Sequence, residues 1–136
     1  MTIAEERGVF AFGQASDMKK FGPRAQLTSI IDDWAPYYVD RVGKALNGTW
    51  KSEDTWDGLA PGMAAISELS KEIPETVRKE AQDLHDAIAS GKVHSFTGPI
   101  SKQDGSTWLS SGETADDGTL LGMNFYVEGI EGDIPQ

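Results

Sequence analysis

Four side chains stand out for what they can do to a small molecule. Gln14, Ser16 and Asp17 lie in the run Gly13-Gln14-Ala15-Ser16-Asp17-Met18, and Trp34 lies in Asp32-Asp33-Trp34-Ala35-Pro36. A carboxylate accepts hydrogen bonds from N–H and O–H donors and gains strength as water leaves its surroundings. An amide and a hydroxyl close by can read donors and acceptors along a molecular edge. A tryptophan face offers base stacking worth about 1–3 kcal/mol where nucleic acids have been measured. These residue types make a recognition set for a ligand that is held and not converted. Each also has a structural reading: Asp17 can cap a helical turn, Trp34 can anchor a helix start, and Gln14 and Ser16 can be loop residues.

Other chemistry-bearing residues point to less. The pairs Asp32-Asp33 and Asp116-Asp117 lack the ligand ladder of a calcium loop and read as helix caps. His85 and His94 have no metal-ligand spacing, and Ser29 has neither a base nor a Gly-rich elbow around it. Cysteine is absent, which removes disulfides, thiolate zinc sites and cysteine nucleophiles together. With no triad, metal cluster or phosphate loop, the chain is expected not to be an enzyme and to carry no metal and no cofactor. Trp50, Trp56 and Trp108 read as packing residues.

The elements that must position the recognition set follow from the surrounding pattern. The apolar run Val9 to Phe12 reads as a buried strand that opens into the polar loop at Gly13. A second strand, Gln26 to Ile31, opens in the same way at Asp32. Open α/β sheets bind ligands at such carboxyl ends of strands. Apolar residues at helical spacing run from Ala35 to Leu46, with Pro36 in the first turn and Asn47-Gly48 as the stop. Short extended segments are expected at Thr55 to Leu59 and Gly62 to Ile66. A surface helix opens at Pro74, carries Val77, Ala81, Leu84 and Ile88 on one face, and stops at Gly91. Asp104-Gly105, between Phe96 to Ile100 and Thr107 to Leu109, signals a hairpin, with an apolar cluster from Leu120 to Val127 beyond it. Thr2 to Arg7 with Gly8 reads as the last turns of a helix, so Met1 is expected to sit inside an element that is longer in the parent protein.

At 136 residues the chain suits one domain. Its net charge of −10 repels polyanions and leaves no basic cluster for anionic lipid, so nucleic acid is not an expected partner. No apolar run reaches the roughly 20 residues of a membrane span, and residues 1–7 lack the charged-then-apolar pattern of a signal peptide.

Several ordered motifs resemble one family. Gly13-Gln-Ala-Ser-Asp-Met18, Leu27-Thr-Ser-Ile-Ile31 leading to Trp34-Ala-Pro-Tyr-Tyr38, Leu46-Asn-Gly-Thr-Trp50, and Phe96-Thr-Gly-Pro-Ile100 with Asp104-Gly105 are similar to the basic membrane protein family, which includes purine nucleoside receptors of bacterial ABC importers. The resemblance implies an α/β chain forming part of a type I periplasmic binding fold, made of second-lobe strands, hinge crossovers, helices and a C-terminal hairpin. Such receptors have two lobes and about 300 residues, so residues 1–136 resemble the C-terminal portion, with the first lobe largely absent. The implied function is capture of a purine nucleobase or nucleoside between lobes, and delivery to an ABC permease, without chemistry. The implied location of the full-length family is periplasmic or lipid-anchored outside the inner membrane. The resemblance implies that Asp17 meets the ligand's polar edge or ribose and that Trp34 walls a planar base. Nucleoside receptors commonly carry a lysine where this chain has Asp32, a departure that points toward a free nucleobase such as adenine and away from adenosine. A competing expectation is a stand-alone interaction module in which surfaces left open by a missing lobe pair two copies as a homodimer.

Overall fold

Strand β2 (Gln26–Asp32) is the axis of the larger part of the molecule, and the computed structural model describes residues 1–135. Strand β1 (Ala11–Gly13) pairs with it in parallel and β3 (Ala64–Ile66) pairs antiparallel on its other edge, giving the order β1-β2-β3. Because β1 and β2 run in parallel, their carboxyl ends emerge at the same edge of the sheet. Their connection, residues 14–25, is a polar loop and a single 3-10 turn at Lys19–Phe21 where a full crossover helix is more usual.

The register between these strands is irregular. Ala11 sits opposite Gln26 while Gly13 sits opposite Ser29, so two steps of β1 face three steps of β2. Such a bulge re-aims side chains that regular alternation would send to opposite faces. It brings Ser29 Oγ to 2.9 Å from Gln26 Oε1. Gly13 makes room at this crossing, because a Cβ there would lie 1.9 Å from Ser29 Oγ.

Among the described residues four α-helices accompany the strands. Helix α1 (Thr2–Arg7) ends at Gly8 in the left-handed conformation, and Glu5 ties it to the start of β2 by accepting from the backbone N–H groups of Arg24 (3.0 Å) and Ala25 (2.8 Å). Helix α2 (Ala35–Leu46) carries Pro36 in its first turn, pairs Asp40 with Lys44 at 2.8 Å, and is followed by Gly48 at φ +69°. Helix α3 (Glu75–Ala89) follows Pro74, and α4 (Asp117–Leu121) is capped by Asp116, whose Oδ1 accepts from Thr119 N at 2.7 Å. No helix of the described residues is long and apolar enough to cross a membrane.

The chain divides into two units, Met1–Ser90 and residues 91–136. In the second, β4 (Ile100–Ser101) and β5 (Thr107–Leu109) form the expected hairpin around Gly105 at φ +82°. Phe96, Trp108 and Phe125 stack edge to face with ring centroids 5.7 and 4.9 Å apart, and Leu109 and Ala115 are buried.

The first unit departs from its expected packing. Its strand was expected to be buried over Val9 to Phe12, yet the strand covers only Ala11–Gly13, with Phe10 and Phe12 on the outside. The reason is its place at the sheet edge, where β2 covers one side only. Residues 55–59 form no strand, and Trp50 and Trp56 are exposed and do not act as packing anchors. Among the described residues no helix buries a side chain completely.

Candidate functional site

The loop after β1 is held by its own backbone and by β2. Ala15 adopts a left-handed conformation at φ +65°, uncommon for a residue with a Cβ, and its carbonyl accepts from Asp32 N at 3.2 Å. That bond ties the loop after β1 to the end of β2. Asp33 N donates to Met63 O at 2.8 Å, so the end of β2 is fastened on its other side as well.

Asp17 closes the expected turn and also bonds to β2, both through one oxygen of its carboxylate. Oδ1 accepts from Lys19 N at 2.9 Å, closing the turn before the 3-10 segment, and from Gln26 Nε2 at 2.8 Å. Among the described residues Oδ2 has no hydrogen-bond partner, and the residue is exposed. The Gln26 amide, first, and the Lys19 backbone N–H hold the Asp17 carboxyl below the usual carboxylate range. It is therefore an anion at neutral pH with one oxygen available.

Lys19 does not neutralise it directly. Its Nζ sits 2.9 Å from Glu68 Oε2, which pulls the Lys19 pKa up and the Glu68 pKa down. Ser16 points its hydroxyl at Met18 Sδ (3.5 Å), and Gln14 is exposed at the mouth of the same loop.

Trp34 stands at the start of α2 with 49% of its surface exposed. Its ring contacts Tyr37 edge-on at 5.9 Å and Tyr38 at 6.3 Å, which fixes the indole and leaves a face open. Arg41 backs this cluster, stacked 4.9 Å over Tyr37 and held by Glu53 at 2.8 Å and Thr55 at 2.7 Å. The structure thus brings the Gln14–Asp17 loop and the Asp32–Trp34 segment to one sheet edge. No hydrogen bond joins Asp17 to Trp34 among the described residues.

The other candidates serve the fold. Asp33 Oδ1 caps α2 through Ala35 N at 3.1 Å, and His85 pairs with Asp86 at 2.9 Å on α3. Among the described residues no group of three or more His, Cys, Asp or Glu is placed to hold a metal. Two cavities of the first unit lie away from the ends of β1 and β2. One of about 480 Å³ opens beneath α1 between Glu5, Phe10 and Arg24, and a groove of about 580 Å³ runs between the end of β3 and α3.

One residue of the site escaped sequence reasoning. Gln26 is 4% exposed, and its amide touches Asp17, Met18, Ser29 and Ser67. A glutamine opening a strand of mixed apolar and polar residues is a weak signal, and the bulge beside it leaves no mark in the periodicity.

Comparison with known proteins adds sequence and fold relationships to this geometry. Residues 1–96 match the family described as ABC transporter substrate-binding protein PnrA-like. A purine-binding protein of Brucella abortus is 52% identical over 134 residues, which is 98% of this chain and 38% of that protein. A Haloferax volcanii protein named for glucose binding by an ABC transporter is 24% identical over 97% of this chain and 31% of its own length. The chain thus spans less than two fifths of these curated relatives. A solved transcriptional activator of the comK gene from Bacillus halodurans shares the fold, with a TM-score of 0.59 and 22% identity over 67% of this chain and 32% of that one.

Proposed function

This chain belongs to the PnrA-like family of ABC transporter substrate-binding proteins, and on that premise we propose that it supplies one wall and the hinge of a cleft that captures a purine nucleobase for import. The observation that carries the proposal is the shared sheet edge, where an ionised Asp17 oxygen without a partner and an open Trp34 face stand on adjacent strand ends. A purine needs that pair: a flat surface for its rings and an acceptor for its N–H edge. The 52% identity to a purine-binding protein supports the same ligand class.

Charge narrows the class further. The net charge of −10 and the unneutralised Asp17 disfavour phosphorylated purines, while neutral bases with several N–H donors suit them. Asp32, in place of a lysine, favours a base over a nucleoside. Residues 1–136 act in this reading as the C-terminal portion of a two-lobed receptor that lies outside the inner membrane and hands its ligand to an ABC permease. Ligand sites commonly bury 70–90% of a small ligand, and one wall cannot do so. A second α/β body facing Trp34 completes the cleft.

Calorimetric titration of the isolated chain with adenine, adenosine and glucose tests this. Binding of adenine much weaker than micromolar, with none for glucose, is the expected result. Submicromolar adenine affinity would overturn the two-wall reading, and a preference for glucose would overturn the purine reading.

A further inference from the structure

We propose that Gln26 is the positioning residue of this site: its side-chain amide commits one oxygen of Asp17 to the scaffold and so presents the other to a ligand's N–H donor. What that free oxygen meets rests on the purine reading above; the positioning itself does not.

The amide's orientation follows from chemistry. Met18 N can only donate, so the group 3.0 Å from it must be the carbonyl oxygen Oε1. The Asp17 carboxylate can only accept, so the atom 2.8 Å from it must be Nε2. Ser29 Oγ donates to Oε1 at 2.9 Å, and Nε2 donates again to Ser67 Oγ at 3.3 Å. A primary amide has two donors and two acceptor directions, and all of them are taken.

The network closes around it. Ser67 Oγ also accepts from Ser29 N at 2.8 Å and lies 3.3 Å from Thr28 Oγ1, whose own proton goes to Ser67 O at 2.9 Å. Three separate segments are thereby tied through one buried side chain: the Asp17 loop, β2, and the residue after β3. A satisfied buried network is rigid, since any rotation strands a polar atom. Asp17 Oδ1 is fixed by Gln26 and by Lys19 N, so the direction of Oδ2 is set before any ligand arrives. A neutral amide does this without cancelling the charge, whereas a lysine or arginine in its place would do both. The charged groups near Asp17 are Lys19 on its own loop and Glu68 beyond β3, with Lys71 next to Glu68. From β2 it meets only the neutral Gln26.

The test is a carbon-detected NMR titration of the Asp17 carboxyl in the full chain, with and without millimolar adenine, for the parent, Gln26→Glu and Gln26→Met. In the parent, Asp17 should titrate below the usual carboxylate range. In Gln26→Glu the two carboxyls should share a proton and titrate in two steps, one of them raised. Adenine-induced shifts in the loop should then be at least about tenfold weaker near pH 8 than near pH 5, where a protonated Glu restores an O–H donor to Asp17. A merely structural role would not produce that pH dependence. Gln26→Met, which keeps the volume and removes the donor, should raise the Asp17 titration in a chain whose circular dichroism is unchanged, and serves where the Glu variant fails to fold. An Asp17 titration that moves in neither variant would overturn the proposal. If Asp17 moves as expected while adenine shifts no resonance in any chain, the positioning stands and the purine reading falls.

Discussion

The two units of this molecule put different things inside. In residues 91–135 the buried side chains are apolar, Leu109 and Ala115, and Phe96, Trp108 and Phe125 stack edge to face. In Met1–Ser90 they are mostly polar: Gln26, Thr28, Ser29 and Ser67, with Ala25 the sole apolar side chain among the buried hydrophobic residues of the unit. Its large apolar residues face outward instead, with Val39 at 73%, Leu46 at 82% and Phe12 at 70% exposure. The smaller unit is held by packing. The larger one is held by hydrogen bonds along β2, with much of its apolar surface exposed.

The contrast can be broken most sharply in the small unit. Trp108→Ala removes the ring that meets both Phe96 and Phe125, and should cost about 3 kcal/mol in denaturant unfolding monitored at residues 91–135. Resonances of β2 should scarcely respond. In the large unit, Gly13→Ala forces a methyl against Ser29 and should cost about 1–3 kcal/mol, seen as a lower melting temperature by circular dichroism. A neutral outcome would mean that β1 does not press on β2 as described.

Acid and salt sharpen the comparison further. Arg24 first of all holds Glu5 below the usual carboxylate range, and Lys19 does the same for Glu68. In the small unit the neutral donors of Ser106 lower Asp104 and those of Thr119 lower Asp116. All four folded values lie below the unfolded ones, so each group stabilises the fold above the ordinary carboxylate range and loses that contribution as the pH falls below about 4. At about 1 M salt, where the Debye length is about 3 Å, NMR titrations should show Glu5 and Glu68 moving up toward ordinary values. Asp104 and Asp116 should stay where they are.

The smallest effect is expected on α2. Replacing Val39, Val42 and Leu46 together by serine should change the stability of the isolated chain by no more than about 0.5 kcal/mol per site, because these side chains bury little in it. A loss of several kcal/mol in the same unfolding measurement would show that the face is already packed.

What could be foreseen from the sequence sorts along the same line. Local signals carried well: Pro36 and Gly48 bracket α2, Pro74 and Gly91 bracket α3, and Asp104-Gly105 turns the hairpin, since each acts through its own backbone. The Asp17 turn and the Asp33 and Asp116 caps were equally legible. Burial was not. Val9 to Phe12 reads as an interior strand because apolar runs usually are interior, but burial depends on what covers a surface, and nothing local specifies that. The exposed Trp50 and Trp56 misled for the same reason. Gln26 stayed hidden because its partners meet only through a register shift between two strands.

That shift has a consequence for how the chain can change over time. A side chain at position 13 would collide with both Oγ and Cβ of Ser29, at 1.9 and 2.8 Å, while the Gln26 oxygen at 3.4 Å is an ordinary neighbour. Glycine at 29 would remove both atoms, so alanine at 13 should be tolerated best in its company. The two codons should drift as a pair, and a library randomised at both should recover Gly-Ser and Ala-Gly far more often than their mixtures.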